Sequence, residues 1–268
     1  MVNVDFHIHT HLSSCADREA FITDYINTAK ELGIEKIGFA DHSWDVNACT
    51  PSSWYQGQTY ERLEPRYDEL KEIDTRGIDI LLGAEGEYAK EVLCITEDAL
   101  QYTDYIIVPH SHTHMTGVVL PSVYANDSQK HGQYLVNSFI SLCTHEKRNF
   151  FNAIAHPMYP IGKRIDEAEE IYSYITDEML TDCALAAKDA DIPLEFNLTV
   201  TRNIMLSAEG KTCYHRFINI CKKAGCKFFL GSDAHSIEVF KILHEEKNSV
   251  MQYFGMTEED FIPLSPNK

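Results

Sequence analysis

A closed parallel α/β barrel is the fold class that this 268-residue sequence predicts, on three observations. About seven strand–helix repeats follow one another without a linker, the pattern of a parallel sheet wound by right-handed crossovers. Histidines and acids stand where the predicted strands end, at 7–9, 42, 85, 112, 156 and 233–235, and the carboxyl ends of barrel strands are where function gathers. His7-Ile8-His9 and Asp233-Ala234-His235 lie at opposite ends of the chain, and each places two metal-capable side chains at i and i+2, on one face of a strand. An open doubly wound sheet does not readily join first and last strands; a barrel does.

Taken in order, residues 2–9 alternate, with Val4, Phe6 and Ile8 on one face and Asp5, His7 and His9 on the other, so the first strand ends at His9 or Thr10. Phe21, Ile22, Tyr25, Ile26, Ala29 and Leu32 recur at helical spacing across 19–32, and Gly33 stops that helix. A second strand, 35–40, runs into Asp41-His42. The stretch 43–58, with Trp44, Trp54 and Tyr55, reads as a long loop that either lids the mouth or packs on the rim, and 60–75 as a helix. Strand 78–85 ends at Glu85, a short helix covers 95–102, and strand 104–109 runs into His110-Ser-His112-Thr-His114. Helix 127–147 leads to strand 151–155 and His156, and helix 176–190 to strand 193–197. Helix 211–224 leads to strand 226–231 and Asp233, a last helix spans 237–247, and the tail beyond 255 packs or frays. One domain covers 1–268 in this reading.

With 44% hydrophobic and 24% charged residues and no low-complexity run, the composition is that of an ordinary globular enzyme. No apolar stretch reaches the ~18 residues that span a membrane. The start, Met-Val-Asn-Val-Asp, lacks the charged and apolar regions of a signal peptide. The eight cysteines form no C-x-x-C pair and read as buried small hydrophobes in a reducing cytoplasm. A formal charge of −18 argues against a long nucleic-acid partner, which would need a basic stripe. The same charge repels phosphate, so an anion site must be made locally positive by metal ions or a few arginines.

His7, His9, His42, Glu85, His112, His156, Asp233 and His235 form the candidate site. Nitrogen and carboxylate ligands together suit Zn, Mn or Fe rather than Ca or Mg. So many ligands exceed the roughly four to six that one ion takes, and two to three divalent ions are expected, with Glu85 as the bridging carboxylate. Glu87 shares that face, but Glu85 directly follows the apolar run. Such a cluster generates hydroxide near neutral pH and stabilises a leaving oxygen, so the expected reaction is metal-assisted hydrolysis. A lone strand-end histidine is more often a hydrogen-bonded loop residue than a ligand; the joint placement at successive strand ends carries the metal reading. His110 and His114 share a face with His112, while His11, His131, His145, His215 and His244 fall in loops or helices without an assigned role. Asp5 is either the partner of a ligand imidazole or a buried cap.

Asp-Phe-His7-Ile-His9-Thr, Phe-Ala-Asp-His42, Gly-Ala-Glu85, Ala-His156-Pro and Gly-Ser-Asp233-Ala-His235-Ser together resemble the successive motifs of the PHP (polymerase and histidinol phosphatase) superfamily. The resemblance implies a distorted, TIM-like (β/α)7 barrel with a trinuclear Zn, Mn or Fe site and phosphoesterase activity. It also implies a division of ligands. His7, His9, Glu85 and Asp233 hold one ion, Glu85 bridges to a second held by His112 and His156, and His42 and His235 share a third. The sequence departs from the family pattern twice. Cys15, with Asp17 nearby, stands where a His or an acid is usual, so Cys15 is a candidate ligand. The fourth-strand motif offers both His110 and His112, and register from Asp104 favours His112.

In histidinol-phosphatase-like members an arginine near the sixth strand resembles a phosphate clamp, and Arg202 fits that place, after Asn197 at the strand end. Arg164 and Arg18 are further candidates, and Asn197 and Arg164 join Arg202 as expected substrate contacts. Glu85, Asp233, His235 and Arg202 are the expected catalytic residues. The resemblance implies hydrolysis of a small phosphate ester, with histidinol phosphate of histidine biosynthesis as the leading substrate. A phosphodiester or nucleotide substrate, and a metal-holding domain without turnover, are the alternatives.

Overall fold

The computed structural model describes residues 2–207 and 213–267. Seven strands form one parallel sheet in the order β1 (Val4–Ile8), β2 (Lys36–His42), β3 (Asp79–Glu85), β6 (Ile106–Pro109), β7 (Ala153–Ala155), β8 (Leu194–Asn197), β9 (Phe228–Gly231). The sheet curls until its edges meet: His9 N–H donates to the Ala234 carbonyl at 2.9 Å and Asp233 N–H to the His7 carbonyl at 2.7 Å. The result is a nearly closed barrel of parallel strands ringed by helices, as the sequence predicts.

The ring comprises α1 (Ile22–Glu31), α2 (Pro65–Lys71), α3 (Ser128–Cys143), α4 (Ile165–Ser173), α5 (Asp177–Asp189), α6 (Leu198–Leu206), α7 (Cys213–Ala224) and α8 (Ile237–Tyr253). The expected helix 60–75 splits into a 3₁₀ turn at Tyr60–Leu63 and α2, because Pro65 has no N–H to give the preceding turn and is favoured in the first turn of a new helix. Two helices, α4 and α6, were not expected; α6 starts directly from β8, its N-terminus capped by Asn197, whose side chain accepts from Val200 N–H at 2.9 Å. The last helix runs past 247 to Tyr253. The first two residues expected in α7, 211 and 212, lie outside the described residues. A small hairpin, β4 (Tyr88–Ala89) with β5 (Val92–Leu93), extends β3 beyond the rim. The tail packs: Ile262 N–H donates to the Phe228 carbonyl at 2.8 Å and Leu264 joins the barrel interior.

Inside the barrel, Phe6, Ala40, Leu81, Tyr105, Ile107, Ala153, Ala155 and Phe229 interdigitate, while Ile8, Ile37 and Phe39 face the helices. The expected alternation along the first strand is therefore broken, since Phe6 and Ile8 lie on different sides. The register of β1 on β2 shifts between Asp5 and Ile8. A bulge of this kind changes which face later residues meet, so Phe6 points into the barrel and His7 and His9 can do so above it. Tyr105 crosses the interior to donate to the Phe6 carbonyl at 2.7 Å. It fits because Gly38 and Gly83 carry no side chain; a Cβ at either would stand 2.3 Å from that ring or its hydroxyl.

The expectation of eight buried thiols is corrected twice. Cys49 and Cys94 form a disulfide, and Cys15 is exposed. Among the described residues no helix is long and apolar enough to cross a membrane.

Candidate metal centre

At the carboxyl end of the barrel the strand-end side chains converge in three groups whose ligand atoms lie within 4.8 Å of one another: His7, His9 and Glu85; Glu85, His112 and His156; His9, His42 and His235. Asp233 joins the first, its Oδ1 3.2 Å from His9 Nε2 and 3.6 Å from His7 Nε2. Glu85 lies at the centre, Oε2 2.8 Å from His42 Nδ1 and Oε1 2.9 Å from His156 Nε2. The backbone bends sharply to deliver these groups. His156 and Asp233 adopt positive φ values of 26° and 56°, a conformation that costs non-glycine residues of order 1–3 kcal/mol and collects at functional sites.

The donor chemistry fits divalent cations. His7 Nδ1 meets Glu195 Oε1 at 2.8 Å, His9 Nδ1 meets Ser13 Oγ at 3.0 Å, His112 Nδ1 meets Glu87 Oε2 at 2.7 Å and His156 Nδ1 meets Ser111 Oγ at 2.8 Å. His235 Nδ1 donates to the Asp233 carbonyl at 2.9 Å. With each Nδ1 engaged outward, the Nε2 lone pairs face the centre, the arrangement by which an outer partner fixes a ligand imidazole. His7 Nε2 and His9 Nε2 stand 3.0 Å apart, and two lone pairs at that distance repel unless a proton or a metal cation lies between them. His7, His9, Glu85 and Asp233 would hold one ion, His112 and His156 with Glu85 a second, and His42 and His235 with His9 a third.

The electrostatics are those of opposite charges pressed together away from water. Burial pushes the His7 imidazole down, but Glu195, Asp233 and Glu85 outweigh it and hold it well above its ordinary value. His9 is pushed down to about 3 by burial and by His235 and His42. Burial would raise Glu85, yet His42, His7 and His112 hold it well below the usual carboxylate range. Asp233 is lowered likewise, chiefly by His7 against its burial.

Behind the ligands lies a network that the sequence reading missed. Glu195, fully buried, grips His7 with one oxygen and accepts from His156 N–H at 2.5 Å with the other. Gly231 makes room for it: a Cβ there would lie 2.1 Å from Glu195 Oε1. Asp41 accepts from Thr10 N–H, from Ser13 Oγ and from Arg66, which is itself buried. Through Ser13 this carboxylate sets the His9 ring. The signals were present as Glu195 two residues before a strand-end Asn and Asp41 beside His42, but each reads equally as a strand residue.

Other expectations are resolved by position. His112, not His110, enters the cluster; His110 lies deeper, where its Nε2 accepts from Met158 N–H at 2.9 Å. Glu85 sits at the centre and Glu87 behind His112. Asp5 is the buried cap: it accepts from His7 N–H at 3.0 Å and Ser232 N–H at 2.9 Å, and pairs with His244 at 2.8 Å. Cys15 lines the pocket but belongs to none of the three groups, and exposed Asp17 contributes its backbone N–H to the His235 carbonyl at 2.8 Å. The arginine clamp is corrected. Arg202 grips Glu246 of α8 bidentately at 2.8 and 3.0 Å, and Arg164 pairs with Asp166 in the open. Neither lines the pocket. Asn197 bonds protein rather than facing the pocket, its Nδ2 donating to Asp233 Oδ2 at 3.2 Å.

The cluster floors a cavity of about 600 Å³ whose walls include Trp54, Met115, Val118 and Ile161. Among the described residues, no lysine or arginine lines it. Fold and site together define a parallel barrel built to hold divalent metal ions among histidines and carboxylates at its carboxyl end. The chain belongs to the PHP domain family, whose model matches residues 5–185. It is 26% identical over 235 residues, 86% of this chain and 78% of the relative, to a protein of Shewanella piezotolerans named "Probable phosphatase". A protein of the same name from Caldicellulosiruptor bescii is 23% identical over 232 residues, 85% of this chain and 79% of the relative. In fold the chain is similar to histidinol phosphate phosphatase from Lactococcus lactis, solved with zinc, L-histidinol and phosphate. The TM-score is 0.67 at 15% identity, over 98% of this chain and 97% of that one.

Proposed function

We propose that this protein is a metal-dependent phosphatase that hydrolyses a small-molecule phosphomonoester. The observation that carries the reading is the outward engagement of Nδ1 on five imidazoles around Glu85, which leaves a set of nitrogen and carboxylate ligands directed at one floor. Bound divalent ions supply Lewis acidity and a nucleophile at neutral pH. The chain's own part is to fix them: Glu85 spans the groups, Asp233 and His235 close them from β9, and Glu195 and Asp41 hold the rings in register. Among the described residues no arginine lines the pocket, so neutralisation of the phosphate oxygens would fall to bound ions.

The family and the two relatives named as phosphatases support the reaction class. Histidinol phosphate is the named ester to assay first, because the structural neighbour holds histidinol and phosphate. A panel of phosphomonoesters and diesters, run with metal content measured on the same sample, tests the reading. Turnover of monoesters, abolished by a chelator and restored by Zn, Mn or Fe, is expected. Turnover of diesters alone would replace it with the phosphodiesterase reading, and full metal content with no turnover would leave a metal-holding domain.

A further inference from the structure

The wall opposite the metal floor differs from it in kind. Trp54, Met115, Val118 and Ile161 give it an apolar body, and Ser52 and Thr116 give it neutral hydroxyls. Among the described residues its carboxylates are Glu85 and Asp233, both already committed to the cluster, and apart from His114 no described wall residue beyond the cluster can carry a positive charge. Trp54 is 43% exposed and lies T-shaped to His42 with ring centroids 5.5 Å apart, so an accessible indole borders the floor.

This wall is built in place rather than swung over. Trp44 and Tyr55 are buried against Ala89, Cys94 and Val119, with Met115 and Val118 packed beside them. The Cys49–Cys94 disulfide ties the loop to the end of the β4–β5 hairpin, and Trp44 Nε1 donates to the Cys49 carbonyl at 2.9 Å. The Tyr55 hydroxyl reaches His42 Nδ1 at 3.2 Å, which joins the loop to the cluster itself. An ammonium group entering such a wall loses its water without gaining a free carboxylate, a heavy cost. An apolar or aromatic body gains contact area and a stacking face.

We propose that this pocket selects phosphomonoesters of uncharged alcohols with an apolar or aromatic body, and that Trp54 is a specificity-determining residue. The inference rests on the phosphomonoesterase reading above. In the reaction the bond from phosphorus to the alcohol oxygen breaks, water oxygen bonds to phosphorus, and a water proton passes to the departing alkoxide, giving alcohol and inorganic phosphate. Only the alcohol half meets the wall.

The test compares kcat/KM of the metal-loaded protein for 2-phenylethyl phosphate, 2-aminoethyl phosphate and histidinol phosphate. The ammonium-bearing esters have the better leaving groups, so a preference for the phenylethyl ester cannot come from intrinsic reactivity. A preference of at least about 50-fold is expected, and Trp54→Ala should reduce that ratio about tenfold, mainly through KM. Binding of non-hydrolysable benzylphosphonate, followed by calorimetry, should weaken by a similar factor. Equal or better use of the ammonium-bearing esters, or a ratio untouched by Trp54→Ala, overturns the inference. Absence of turnover on every ester sinks the phosphatase reading instead, and benzylphosphonate binding to wild type and Trp54→Ala then decides the wall alone: undiminished binding overturns it.

Discussion

The floor and the wall of one cavity are made by opposite means. On the floor, nearly every side chain ends a strand, carries charge or a lone pair, and is held from behind by a second residue: His7 by Glu195, His9 by Ser13, His112 by Glu87, His156 by Ser111. The wall comes from loops, carries almost no charge, and is held by packing and one disulfide. The difference separates two kinds of constraint. Directed ligation needs position and orientation fixed together, which strands with outer hydrogen bonds supply. Accommodation of an alcohol needs shape and dryness, which loops provide at less cost to the scaffold.

That contrast can be broken by substitution. Glu85→Gln removes the carboxylate that two of the three ligand groups share, and activity should fall at least about 10³-fold with fewer ions bound per chain. Retention of full metal content together with activity would show that Glu85 is not the hub. Behind the floor, Glu195→Gln keeps shape but weakens the hold on the His7 ring, and metal affinity should drop about 10–100-fold; a zinc titration against a fluorescent competitor reads it. An unchanged affinity would move Glu195 from positioning to plain structure. Smallest of all, Arg202→Ala removes a partly exposed pair with Glu246 and should cost about 0–1 kcal/mol of stability, with kcat/KM changing less than about twofold, consistent with a surface position. A large loss of kcat/KM at constant Tm would restore Arg202 as a substrate contact.

The floor was far more legible in the sequence than the wall. Strand-end positions repeat at a fixed place in each strand–helix unit, so His42, Glu85, His156 and Asp233 announce themselves one unit at a time, and the family resemblance reads the same residues. What escaped was whatever depends on a partner distant in sequence. Arg202 looked free because Glu246 lies 44 residues on, and buried Arg66 drew no notice because its acceptor, Asp41, belongs to a strand 25 residues earlier. The disulfide joins cysteines 45 residues apart with no motif around either. Periodicity also misled in β1, where the bulge lets Phe6 and His7 both face inward. Helix α4, acidic in its first turn at Asp166 and Glu167, has too few apolar residues to stand out from a loop.

The meeting of β1 and β9 has a consequence in time as well as in space. During synthesis, a chain extended through β8 already carries His7, His9, Glu85, His112 and His156, but neither Asp233 nor His235. Asp5 likewise still lacks Ser232 N–H and His244, the groups that seal the barrel around it. Capture of a full complement of ions would therefore wait until the last strand has left the ribosome, and completing the metal centre becomes a step that only a chain carrying that strand can take.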